Sequence, residues 1–223
     1  MDRYGRRSVA LAAGLALVLL AVLLWWLSSC EDEAPPATSP PVVTTPTPRP
    51  EPAPKPVDPC ARQARRGFVP TAMTVQGVVR TAEVSGIPRD GNGVVGVPPA
   101  ADKDVFAWDL GGVEPGSETG HVLLNTHTWP DGSAMGNRLL AGLDVGDRLV
   151  LRGERGATAC YRVTERVEVV ASNPPDGWSA KDGAPQVVIV VCSGERRGPG
   201  DWSHRTLWFA DPIGPGANPR ATS

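Results

Sequence analysis

From about residue 70 to residue 210 the chain alternates short apolar runs with clusters of Gly, Pro, Asn and Asp. That pattern predicts strands separated by tight turns. The runs fall at residues 74–79, 82–84, 94–97, 121–125, 148–152, 160–170, 186–192 and 205–210, and residues 137–143 predict the one plausible helix. Eight short strands with turn signals point to a mainly β domain, a barrel or a sandwich, with one or two short helices. Several glycines mark reversals. Asp90-Gly91-Asn92-Gly93 and Pro115-Gly116 each offer a position where the backbone can take a positive φ, and Gly146-Asp147 precedes the alternating run 148–152.

The most informative run is Val187-Val188-Ile189-Val190-Val191, which leads into Cys192-Ser193-Gly194. Five β-branched residues in succession predict a strand buried on both faces. A cysteine where such a strand breaks is either a nucleophile presented at the sheet rim or the last buried residue of the core, and the run itself supports both. A nucleophilic thiol needs a base, and the chain has three histidines to supply one, His121, His127 and His204. His127 is favoured, because it lies just past a strand end in Asn125-Thr126-His127-Thr128-Trp129, where loops carry function. Asn125 either bonds its own turn or orients His127. Arg205, thirteen residues after Cys192, is the favoured cation for a developing oxyanion. Arg196 and Arg197 are closer in sequence, and an arginine's usual fate is a surface ion pair.

Composition divides the chain. Arg3, Arg6 and Arg7 precede an apolar run from Val9 to Leu27, followed by Glu31, Asp32 and Glu33. About 20 apolar residues span a bilayer, so residues 1–33 predict a cytoplasmic stub and a signal-anchor helix. Leu27-Ser28-Ser29-Cys30 offers the alternative of lipoprotein processing at Cys30. Residues 34–66 are rich in Pro and Thr and predict an extended extracellular spacer. Residues 67–223 then form one folded domain, held outside the cell membrane. The net charge of −2 and pI near 5.9 show no basic stripe, which argues against a nucleic-acid partner. No Cys-x-x-Cys or His-x-x-x-His spacing and no Asp-rich loop occurs, so neither metal nor cofactor is implied. Outside the membrane disulfides persist, and Cys60 with Cys160 is the preferred pair, two free thiols being the alternative.

Taken together, a strand leading into Cys192, an arginine thirteen residues on in Trp202-Ser203-His204-Arg205-Thr206-Leu207-Trp208-Phe209-Ala210, and an upstream strand leading to a loop histidine resemble the sortase family, nearest to class F with class E next. The resemblance covers about residues 70–213, and an anchor plus spacer is the family's usual N-terminal layout. It implies an eight-stranded sortase-type β-barrel and a cysteine transpeptidase. Such an enzyme cuts a Leu-Pro-x-Thr-Gly-like sorting signal on surface proteins and passes the acyl group to a cell-wall amine. By position, Cys192 would form the thioacyl intermediate, His127 would move the protons, and Arg205 would stabilise the oxyanion. Val191 stands where the family commonly has threonine, a potential substrate contact, and Asn125-Thr126 where it has Ala-Gly. The other readings are a hydrolytic cysteine peptidase and a non-catalytic peptide-binding module on the same barrel.

Overall fold

The computed structural model describes residues 58–214. The anchor segment, Cys30 and the spacer as far as residue 57 lie outside the described residues. No helix among the described residues is long and apolar enough to cross a membrane.

Eight strands close into a barrel. They are β1 (Pro70–Val75), β2 (Val79–Ile87), β3 (Phe106–Asp109), β4 (His121–Asn125), β5 (Arg148–Gly153), β6 (Thr158–Val170), β7 (Gln186–Gly198) and β8 (Asp201–Pro212). Their order around the wall is β1-β2-β3-β4-β7-β8-β6-β5. The pairs β2/β3 and β4/β7 are parallel and the others antiparallel. A parallel pair cannot be joined by a tight turn. The long connections that result, residues 88–105 and 126–185, supply the walls of the site.

One α-helix, α1 (Met135–Gly142), packs Met135 and Leu139 into the main core beside Leu143. That core holds Val187, Ile189 and Val191 of β7 together with Trp108 and Trp208. Both indoles are buried, and each N–H donates to a carbonyl, Trp108 to Val113 and Trp208 to Leu143, both at 3.0 Å. A second cluster, Leu123, Val188 and Leu207, lies on the opposite face of the same strands. The β7 strand is therefore buried on both sides, as its β-branched run predicts.

Four details differ from the sequence expectation. The run 74–79 is two strands, because Gly77 at φ 75° turns the chain between them. Residues 94–97 form no strand; the strand in that region is β3, four residues without polar alternation, all buried. The strand carrying Cys192 does not stop there. Gly194 and Glu195 form a bulge, with Gly194 at φ 75°, and β7 runs on to Gly198 in a hairpin with β8. A Cβ at Gly194 would come within 2.4 Å of Ser203 Oγ, so both the conformation and the space require glycine. The helix begins two residues earlier than the pattern suggests, at Met135.

Cys60 and Cys160 are joined by a disulfide, across a separation of 100 residues. Asp58 caps the 3-10 turn Pro59–Ala61 by accepting from the Cys60 N–H at 3.0 Å. Gln63 then accepts from the Cys160 N–H at 2.8 Å, and the Ala64 N–H donates to the Thr158 carbonyl at 2.8 Å. This short stretch is thus fastened along the start of β6.

Candidate active site

Successive residues of a strand point to opposite faces. In β7, Val187, Ile189 and Val191 enter the main core while Val188 and Val190 belong to the outer cluster, so Cys192 emerges on the barrel's outer face. Arg205 is its cross-strand partner on β8, on the same face as Leu207. His204, one residue away, pairs with Ser193 instead and its Nδ1 meets Ser203 Oγ at 2.7 Å. His121 is likewise engaged elsewhere, with Nδ1 3.0 Å from the Trp178 carbonyl. His127 lines both of the cavities among the described residues that Cys192 also lines.

Cys192, His127 and Arg205 converge on one groove of about 620 Å³. Its floor is Leu123 and Val190, and its sides are the residue 93–97 segment and Trp178. The run 94–97 is apolar because it forms this wall: Val94 and Val97 are each 61% exposed. Asp90 shapes the turn before the wall, accepting from the N–H groups of Asn92 and Val94 at 2.9 Å.

The wall is fastened by Arg89 and Asp109, which sequence reading did not single out, and by Asn125. Arg89 chelates the buried Asp109 carboxylate, with Nε at 3.0 and 3.1 Å and Nη2 at 2.6 Å, and its Nη1 donates to the Gly93 carbonyl at 3.2 Å. Hydrogen bonding to Asp109 holds the Arg89 guanidinium still more firmly protonated than usual, against the opposing effect of burial. Asn125 donates through Nδ2 to the Gly96 carbonyl at 2.7 Å. Its role is to hold the wall, and the hydrogen bond to His127 considered from the sequence does not form.

His127 is set by backbone groups. Its Nε2 lies 2.7 Å from the Pro98 carbonyl and 3.2 Å from that of Pro99. Carbonyl oxygens only accept, so Nε2 carries a proton and Nδ1 is the ring atom able to exchange one. The next residue ties the histidine loop to the nucleophile's strand: Thr128 Oγ1 donates to the Cys192 carbonyl at 2.7 Å. From behind, the Gly136 N–H of α1 donates to the His127 carbonyl at 2.8 Å, and a Cβ at Gly136 would come within 2.5 Å of that oxygen. Proline carbonyls and a glycine contact leave no motif that residue type alone could reveal.

Arg205 Nη1 donates to the carbonyls of Trp202 and His204 at 3.1 and 2.8 Å, which fixes the side chain against its own strand. Its Nε and Nη2 bond no described residue and remain to meet an anion in the groove. Val191 is 1% exposed within the main core. Its side chain faces the barrel interior, so the contact expected of a hydroxyl at this position is not on the groove side.

Burial pushes the Cys192 thiol above the usual thiol range, and the Arg205 charge pulls it back only in part. Sγ is not hydrogen-bonded to the imidazole in this structure, and burial favours the neutral thiol. Arg205 favours the thiolate, and removing its charge raises the thiol pKa further. Alkylation of Cys192 by iodoacetamide should therefore keep accelerating through pH 9, and Arg205→Gln should slow it several-fold at pH 8. Equal rates for the two proteins would show that Arg205 does not act on the thiol.

These elements define a closed β-barrel carrying a cysteine, a histidine and an arginine in one groove on its outer wall. No family model matches the chain, and no curated protein matches it. Solved structures do. Sortase A from Corynebacterium diphtheriae superposes with a TM-score of 0.51 at 15% identity, over 69% of this chain and 64% of that one. Sortase C1 from Streptococcus agalactiae gives 0.48 at 16% identity, over 68% and 72%, and sortase C-1 from Actinomyces oris gives 0.48 at 16%, over 64% and 72%. The chain thus spans slightly under two thirds of the C. diphtheriae protein's length, and the fold is the sortase fold.

Proposed function

We propose that this protein is a cysteine transpeptidase of the sortase type, anchored in the cell membrane by its N-terminal segment with the barrel outside, and nearest to class F. The observation that carries the reading is the convergence of Cys192, His127 and Arg205 on one groove from β7, the loop after β4, and β8. The apolar floor and wall accept an extended peptide, and Arg205 faces the atom that Cys192 attacks. On attack, the thiol proton passes to His127 Nδ1, Sγ bonds the peptide carbonyl carbon, and Arg205 offsets the charge on the carbonyl oxygen. The imidazolium then protonates the departing amine, which leaves a thioester on Cys192.

The substrate class is a surface protein bearing a Leu-Pro-x-Thr-Gly-like sorting signal, and the acceptor is a cell-wall amine. A panel of Leu-Pro-x-Thr-Gly peptides with x varied tests the chemistry. Intact-protein mass spectrometry should show an adduct on the barrel equal to the acyl half of the peptide, discharged on adding an amine. Cleavage without a thiol-linked adduct would sink the covalent mechanism. An adduct discharged at the same rate with and without amine would favour a hydrolytic peptidase.

A further inference from the structure

A second cavity, of about 290 Å³, opens from the same reaction centre. It shares Cys192, His127 and Gly200 with the main groove, but its other walls are different: Trp129, Trp202 and Arg196 line it. Arg196 and Trp202 face each other across the upper β7/β8 hairpin, where they are register partners. Trp129 comes from the opposite side, its ring 6.1 Å from the His127 imidazole and 5.1 Å beneath the Lys103 ammonium. The Lys103 charge is answered by Asp131 at 3.0 Å. Arg196, by contrast, forms no ion pair and no hydrogen bond among the described residues, and it is exposed at the cavity mouth. One cation with no ion pair among the described residues thus shares a cavity with two indoles, the thiol and the histidine.

Two chains must reach the thioester carbon in turn, the departing one and the incoming one. The apolar groove under Arg205 suits the acyl segment. We infer that the second cavity seats the acceptor, and that Arg196 selects an amine bearing a nearby carboxylate, packed between Trp129 and Trp202. This rests on the transpeptidase reading above. In the step it serves, the neutral amine nitrogen bonds the acyl carbon, the carbon–sulfur bond breaks, and its electron pair stays on Sγ. The proton lost by the amine crosses His127 Nδ1 to the sulfur, giving an amide and a free thiol. Planar indole walls hold the acceptor's backbone and exclude water from that face, which favours transfer over hydrolysis.

Diglycine and diglycine amide differ by the carboxylate and have similar amines, so they form a matched pair of probes. Their binding can be followed on the full-length protein by the indole N–H resonances of Trp129 and Trp202, identified with Trp129→Phe and Trp202→Phe. Diglycine is expected to shift both signals with an affinity about fivefold tighter than the amide, as an exposed charge pair gives. Arg196→Gln should erase that difference and Arg196→Lys should keep part of it, with the remaining resonances unmoved as evidence of an intact fold. Equal shifts by the two probes, or an unchanged difference in Arg196→Gln, would overturn the assignment. If the thioester forms with peptide but the probes are not distinguished, the acceptor site alone is wrong. If no thioester forms, the transpeptidase reading and the acceptor step fall together.

Discussion

Cys192→Ala should abolish cleavage of the sorting peptide, by about four orders of magnitude or more, because no other thiol lines the groove. Without the thiol, His127 keeps only general-base assistance to water, and Arg205 cannot act as a nucleophile. The substitution removes one half-buried sulfur from the outer face and leaves the core of Val187, Ile189 and Val191 untouched. Its melting temperature should therefore stay close to that of the parent. The measurement is fluorophore release from a quenched peptide, with the thermal transition recorded on the same samples. Release by the alanine protein at more than a few per cent of the parent rate would end the case for covalent catalysis. A collapse of the thermal transition would show instead that the sulfur is structural.

The second large effect concerns stability. Closing a loop of about 100 residues is worth about 4.7 kcal/mol on the chain-entropy account, and loss of a native bridge typically costs about 2–5 kcal/mol. The paired substitutions Cys60→Ala and Cys160→Ala, or simple reduction, should therefore lower the melting temperature by about 10 °C, given about 2–4 °C per kcal/mol for a domain of this size. Alanine is preferred at residue 160, which is fully buried, since a serine hydroxyl there would need a new partner. Thermal unfolding with and without reductant measures the difference. A shift below about 2 °C would mean that the stretch around residues 58–64 is held by its hydrogen bonds rather than by the bridge.

How much of this could be read along the chain depended on how strongly a residue's type constrains its surroundings. The β7 run was legible because five β-branched residues in succession have few other solutions. His121–Asn125 was legible, bounds included, because its apolar residues stop at a polar loop. Phe106–Asp109 was not: all four residues are buried, so no alternation marks them, and Asp109 is buried only because Arg89 neutralises it. The 94–97 segment misled for the converse reason, its valines serving a groove rather than a sheet.

The same distinction runs through the site. Cys192, His127 and Arg205 carry their chemistry in their side chains, so the positions of strands and loops made them candidates, and the family resemblance joined them. The Pro98 and Pro99 carbonyls that fix the imidazole carry theirs in the backbone, which no residue type announces. Arg196 stood in the sequence as one of several arginines near the thiol. Only the bulge at Gly194 and Glu195 and the hairpin beyond it separate its cavity from that of Arg205. The bulge is also why the strand seemed to end at Cys192.

The bridge between Cys60 and Cys160 also decides where mechanical load enters the barrel. Tension along the chain ahead of Cys60 does not reach β1, the first strand in sequence, which unpairing from one end could strip from the wall. It is delivered covalently to β6, a thirteen-residue strand laddered to β5 on one side and β8 on the other. Force then divides between two ladders, one of them running directly into the strand that carries Arg205.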